Sequence, residues 1–442
     1  MRQYFILILF FLLHQGVSGQ KDTQNNILPN DYYALRDAAG EFVDSLDLGY
    51  YSAIGVPRAW QYTTGISETI IGLSDARVDT MQKDFFGKTR VLKTVGLQNG
   101  HGMGVAAIAV AQGDNGFGIP GVCYDCSLVT TNYGDPNLEM LIGLADAGAK
   151  VINCSWVTSI ATERGQEVIN TLLNRGVVVV AGAGNQNWQT NKGQKKYYPA
   201  SYDGVISVSS VMYRHNDWQN ALKYENSGKP YVENMWGMVG RTAEITQNNL
   251  SPEFRIYPQS TATLNPEVDI LAPTVGVMRY SQWVTKGLLR YNTYQGTSTA
   301  APFVTGTVGL MFSLCPELRA NEVETILRLT AQNIDDIPAN RLYRGNYGAG
   351  MLQSDAALAL VSSLYDPSGI SMINNQRFNR WDQQLTAFNE SVILEHIEFS
   401  DQASFTLKAK KQIILKPGTR LASENQNGIL LSIDPNLSLS QN

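Results

Sequence analysis

Five short runs rich in β-branched residues punctuate the first two-thirds of this 442-residue chain and constrain its fold more than any other feature. They are TIIGLS at 69–74, SLVTT at 127–131, VINCSW at 151–156, VVVVAG at 177–182 and VISVSS at 205–210. Each is continuously apolar instead of alternating, as in strands covered on both faces. Between them lie helix-patterned segments: GMGVAAIAVAQ after His101, NLEMLIGLADAG at 137–148 and ERGQEVINTLLNRG at 163–176. Strands alternating with helices predict an α/β fold with a doubly wound, mostly parallel sheet. Ligands of such sheets bind beyond the carboxyl ends of the strands. Two polar residues fall there: Asp75 just after TIIGLS and Asn185 just after VVVVAGAG.

The ends of the chain read differently. MRQYFILILFFLLHQGVSGQ has Arg2, an apolar stretch from Tyr4 to Leu13 and small residues at 17–19, the pattern of a secretory signal peptide cut after Gly19. The protein is therefore expected to be secreted or held at the cell surface, and no apolar run is long enough to span a bilayer. A net charge of −5 gives no basic footprint for nucleic acid. The expected division is a signal peptide at 1–19, an arm at 20–49, a main domain at 50–363 with an aromatic insertion at 212–265, a linker at 364–394 rich in Asn, Gln and Asp, and a small β module at 395–434. Of the four cysteines, Cys123 and Cys126 in CYDC suit a local disulfide in an exported protein, or half of a zinc site that has no second pair. Cys154 and Cys315 read as buried thiols.

Chemistry is suggested by polar residues where burial should discourage them. YQGTSTAAPFVTGTVGLM, 294–311, sets Ser298 among small residues, ahead of an apolar run (Phe303, Val304, Thr307, Val308, Met311) with helical spacing. Pro302 suits a helix's first turn, so Ser298 is expected just ahead of, or in, the first turn of a largely buried helix, where amides and the dipole favour negative charge. An N-cap is the plain alternative. His101 opens a helix that is apolar nearly all round, whereas His14 lies in the signal peptide and His215 and His396 fall in irregular or peripheral segments. Asp75, with Asp79 as a rival, supplies a carboxylate after a strand. Asp, His, Ser in that chain order is one of the known orders of a hydrolytic triad, with Asn185 as an oxyanion donor.

On these motifs the chain resembles the subtilases, subtilisin-like serine peptidases of the kind bacteria export, over about residues 50–362. The serine motif G-T-S-x-A-x-P is complete in Gly296, Thr297, Ser298, Ala300 and Pro302; AGAGNQN, YYPASYDGVISVSS, VDILAPTVGV and YGAGMLQSDAAL match in kind. The histidine segment departs from the family's H-G-T-H-V-A-G: it reads HGMGVAA, with Met103 for threonine and Gly104 for the second histidine, and the aspartate segment reads SDARVD. The resemblance implies a serine endopeptidase with Asp75, His101 and Ser298 catalytic, Asn185 in the oxyanion hole, and an extended polypeptide substrate pairing along Ser155, Trp156 and Val157. Val157 stands where the family has glycine, and Gly182 and Gly184 would line the adjoining pocket; alternatively those glycines only permit a tight turn. No cofactor is required; structural calcium would fall near Asp84 and Asp114, which are otherwise loop carboxylates. The arm is too short for a folded inhibitory propeptide, and AKKQIILKPGTRL is similar to small β-coil modules at the ends of exported bacterial proteins. Two other readings compete: a catalytically impaired binding protein on the same scaffold, and a lipase-type hydrolase, which lacks its G-x-S-x-G elbow and a histidine in the right order.

Overall fold

A computed structural model describes residues 20–21, 27–36, 41–93, 100–186, 188, 194–242, 245–246, 249–250, 262–280 and 291–439. The signal-peptide reading at 1–19 lies outside them. At the centre is a seven-stranded sheet: β1 (Ile70–Ser74), β2 (Thr89–Val91), β3 (Ser127–Thr131), β4 (Ala149–Cys154), β5 (Val178–Gly182), β6 (Val205–Val211) and β7 (Ile270–Pro273). Their spatial order is β7-β6-β5-β4-β1-β3-β2, and every neighbouring pair is parallel. The five runs read from sequence are β1, β3, β4, β5 and β6. Their apolar continuity has the expected cause, since β5 and β6 are buried at every position.

The helices cover both faces. On one side lie α1 (His101–Val110) and α4 (Thr297–Leu314), packed on each other, with α4 running against β4, β5 and β6. Both are buried almost all round, which is why neither sequence shows a polar face. On the other side α2 (Glu139–Asp146) and α3 (Glu163–Asn174) bury Leu141, Leu144, Val168, Ile169 and Leu172 against the sheet. Thr162 caps α3, its hydroxyl accepting from Gly165 N at 2.9 Å.

The connection after β1 runs toward β2 and that after β4 toward β5, on the opposite side. The carboxyl ends of β1 and β4 therefore flank a topological switch point, where a doubly wound sheet opens a crevice. The insertion at 212–265 includes a short hairpin, Leu222–Tyr224 with Pro230–Val232; its residues 251–261 lie outside the described set. Within the arm, Leu28, Tyr32 and Leu35 are buried in the main core, Tyr32 edge-on to Trp60.

The expected linker at 364–394 is corrected. After α5 (Ala320–Thr330) and α6 (Ser354–Tyr365), the chain enters β8 (Ile370–Phe378), β9 (Asp382–Ala387), β10 (Ser391–Asp401), β11 (Ser404–Ala409), β12 (Ile413–Leu415), β13 (Arg420–Ser423) and β14 (Ile429–Ile433). β8, β10 and then β12 and β13 stack in parallel, as do β9, β11 and β14. The tail is thus a parallel β-coil beginning at Ile370. Its first turn is fused to the main domain: Thr386 Oγ1 donates to Glu322 of α5 at 2.6 Å, and Gln376 Nε2 to the Ala331 carbonyl at 2.6 Å. Polar composition suggested a linker because coil strands alternate, and two of the tail's polar residues, Gln376 and Asn389, are buried and bonded into the joint.

Candidate active site

Asp75 follows β1 directly, its N–H donating to the Thr131 carbonyl of β3 at 3.1 Å. Its carboxylate is buried, and Oδ1 accepts from Ala76 N at 2.6 Å and meets His101 Nδ1 at 2.7 Å. Asp79, the rival carboxylate, instead accepts from the Met81 N–H in its own turn. His101 is the first residue of α1, after Gly100 at φ 73°. Gly102 lets this helix press on the chain behind Asp75, since a Cβ there would lie 1.9 Å from the Ala76 carbonyl oxygen. The departure at Gly104 has a comparable cause: a Cβ there would lie 2.6 Å from the Tyr280 carbonyl oxygen and 2.9 Å from Arg279 Cδ. No second histidine fits.

Ser298 is the second residue of α4, in its first turn, one of the two expected placements. The helix starts at Thr297, so Pro302 falls in its second turn, against the expectation that proline marks the start. Lacking an N–H, Pro302 cannot bond the carbonyl four residues back, which is that of Ser298. Ser155 Oγ donates to this freed carbonyl at 3.0 Å, and Ser298 Oγ donates to the Ser155 carbonyl at 3.0 Å. Asn153 Nδ2 holds Ser155 Oγ at 2.9 Å and is itself held by Thr305 of α4 at 2.9 Å. The end of β4 and the start of α4 are thereby stitched by a chain of buried and part-buried hydrogen bonds.

Asn185 is exposed, beyond β5. Its Oδ1 accepts from Thr297 N at 2.9 Å and Thr297 Oγ1 at 3.2 Å. That fixes the amide plane and leaves Nδ2 as the donor end. Gly296, at φ 124°, has no side chain to crowd this amide; a Cβ would lie 3.2 Å from Asn185 Oδ1.

Of the other predicted residues, Ser155 is buried and Val157 is exposed. Trp156 is half-buried, and its indole donates to Ser74 Oγ at 3.2 Å, tying this segment to the strand that carries Asp75. Gly182 and Gly184 both have packing reasons. A Cβ on Gly182 would lie 2.9 Å from Thr297 Oγ1, and Gly184 adopts φ 104°. Sequence reasoning missed Thr297, Asn153 and Tyr133, whose hydroxyl lies 3.4 Å from His101 Nδ1. Thr297 stood beside the serine in the quoted motif; Tyr133 follows β3, and nothing local marked it.

Asp84 and Asp114 were the calcium candidates. Asp84 is buried; Asn115 Nδ2 donates to its Oδ1 at 2.8 Å and the Tyr280 hydroxyl to its Oδ2. Asp114 Oδ1 accepts from the Asn30 N–H at 3.0 Å. Calcium takes six to eight oxygen ligands turned toward it. Here two donors point hydrogens at Asp84, so these residues do not form a calcium cage, and no described group of three or more His, Cys, Asp or Glu could hold a metal. Burial pushes Asp84 and the neighbouring buried Asp31 up to about 7. Cys123 and Cys126 are disulfide-bonded. Cys154 and Cys315 are free and buried, and burial pushes the Cys315 thiol up to about 12.

A serine at a helix start, an imidazole backed by a buried carboxylate, and an anchored amide thus stand at or beside the carboxyl ends of the neighbouring strands β1, β4 and β5. Residues 64–350 match the subtilase family, and the chain belongs to it. A thermophilic serine proteinase of Bacillus sp. (strain AK1) is 30% identical over 231 residues, 48% of this chain and 53% of that one. The chain thus spans about half the length of that relative. Thermitase of Thermoactinomyces vulgaris is 29% identical over 276 residues, 59% of this chain and 80% of that protein. The crystal structure of fervidolysin from Fervidobacterium pennivorans shares the fold, with a TM-score of 0.51 at 23% identity, covering 71% of this chain and 45% of that one. Among the described residues, no helix is long and apolar enough to cross a membrane.

Proposed function

We propose that this protein is an exported serine endopeptidase that cleaves an extended polypeptide through an acyl-enzyme. Ser298 Oγ turns from the Ser155 carbonyl to His101 Nε2, which takes its proton as the oxygen attacks the peptide carbonyl. Asp75 fixes the tautomer with hydrogen on Nδ1 and stabilises the imidazolium. The negative oxygen of the tetrahedral intermediate is held by Asn185 Nδ2 and the Ser298 N–H at the helix start. Collapse expels the amine, protonated by His101; water, deprotonated by the same ring, then hydrolyses the acyl ester. The substrate lies along Ser155, Trp156 and Val157, and Gly182 and Gly184 border the pocket for its side chain.

The observation that supports this best is the 2.7 Å approach of His101 Nδ1 to Oδ1 of buried Asp75. An ionised carboxylate is rarely buried without such a partner. The test is labelling of the secreted protein with a fluorophosphonate. Wild type is expected to label, and Ser298→Ala and His101→Ala are expected not to. A folded, unlabelled wild type ends the proposal. Sequencing of the exported protein is expected to begin at Gln20.

A further inference from the structure

At the ends of β4 and β5, two segments continue from neighbouring strands whose register places Cys154 opposite Ala181. One is 155–158, the other 182–184. What lies between them decides how much room the crevice offers. Segment 155–158 pairs with Tyr198: Thr158 N donates to the Tyr198 carbonyl at 2.8 Å, and Tyr198 N to the Thr158 carbonyl at 2.9 Å. That bridge brings the preceding residue, Tyr197, across toward the second segment. A Cβ on Gly184 would lie 2.8 Å from Tyr197 Cδ2 and 2.9 Å from Thr263 Oγ1. The Tyr197 side chain is thus packed against the opposite wall, and the residue is only 7% exposed. Lys195 Nζ stands 5.0 Å from the ring centroid. At the rim, Val157 puts a β-branched side chain into solvent, 42% exposed.

The serine-peptidase reading, on which this inference rests, sets the scissile carbonyl between Ser298, tied to Ser155, and Asn185, which follows Gly184. The side chain of the residue contributing that carbonyl then enters the cleft between the same two segments. We propose that Tyr197 is the floor of this cleft and restricts cleavage to bonds that follow small residues, glycine, alanine or serine. The absence of side chains on Gly182 and Gly184 does not make a deep pocket here, because Thr297 closes on the first and Tyr197 on the second. A phenylalanine or leucine of substrate would have to displace a packed ring, and overfilling a packed site is unfavourable.

The experiment compares two fluorogenic peptides, identical except for alanine or phenylalanine before the cleaved bond, with wild type and Tyr197→Ala, each also labelled with a fluorophosphonate. Wild type is expected to favour alanine by at least about tenfold in kcat/KM, within the range by which a pocket discriminates on size. Tyr197→Ala is expected to move that ratio toward phenylalanine by at least about tenfold. Labelled wild type that cleaves both peptides equally overturns the inference while leaving the peptidase reading intact. So does a folded, labelled Tyr197→Ala with an unchanged ratio. Should Tyr197→Ala not fold, the wild-type ratio decides alone, with Tyr197→Val as the second variant. A folded wild type that does not label sinks the peptidase reading, and this inference falls with it.

Discussion

Ser155 carries more of the site's geometry than its plain sequence context suggests. Its hydroxyl satisfies the carbonyl that Pro302 leaves without a helical partner, and its own carbonyl accepts from Ser298. Ser155→Ala removes the part-buried hydrogen bond to that carbonyl and is expected to cost about 0.5–1.5 kcal/mol, read from urea denaturation. Asn185 is exposed, and on the proposed mechanism it donates only to a charge that forms during reaction. Asn185→Ala is expected to lower kcat by about 10²–10³ with little change in KM, as when such a donor is removed from a subtilisin. An equal fall in substrate affinity would speak against the oxyanion role. Of these two, only Asn185 could be assigned this job from sequence, through its place after an apolar strand. The two hydrogen bonds between Ser155 and Ser298 join residues 143 apart, and no local pattern encodes such a pairing.

The elements were legible where periodicity reports burial. β1, β3, β5 and β6 stand within a residue or so of their apolar runs, and α3 begins at Glu163 as its pattern predicts. β2 was not legible: Thr89–Val91 is short, at the sheet edge and largely exposed, so it carries no run. The start of α4 was misplaced because proline is a weak boundary signal when its missing bond is made good by another chain segment. The arm's contact with the loop at 113–118 was equally hidden, since it depends on Asp31 receiving the Asp114 N–H at 3.2 Å. That contact has a pH signature. Asp31 and Asp84 are raised from 3.8 to about 7, so the folded protein holds protons that the unfolded chain releases. Their contribution is fully present below pH 3.8 and is lost as pH rises to about 7. Thermal melts across that window are expected to decline less steeply in Asp31→Asn and Asp84→Asn than in wild type. An unchanged slope in both would mean these carboxyls titrate normally.

At the scale of the whole molecule, the doubly wound sheet followed from the strand–helix alternation, but the extent of the fold did not. The main hydrophobic core continues from Leu364 of α6 into Ile373, Phe378, Leu385, Val392 and Leu394 of the tail. A chain ended at Tyr365 would expose that surface together with buried Glu322, whose partner Thr386 would be gone. It is expected to be insoluble or to melt well below the full protein; equal stability by circular dichroism would show the coil to be an independent attachment. A linker was expected from the shift to Asn, Gln and Asp after Ser363, whereas Asn374, Asn375 and Gln376 lie within β8, Asn375 at a φ of 55°.

Within the coil, Lys411, Lys416 and Arg420 on one turn meet Glu390, Glu395 and Glu398 on the turn before. Exposed pairs of this kind add little stability singly, yet all three align only in a single stacking. A slip by one residue would turn the apolar positions outward and set each cation beside the wrong neighbour. The charges therefore behave like the wards of a key: they hold the last turn to one setting on the stack, and a strand from elsewhere without that spacing would not seat in its place.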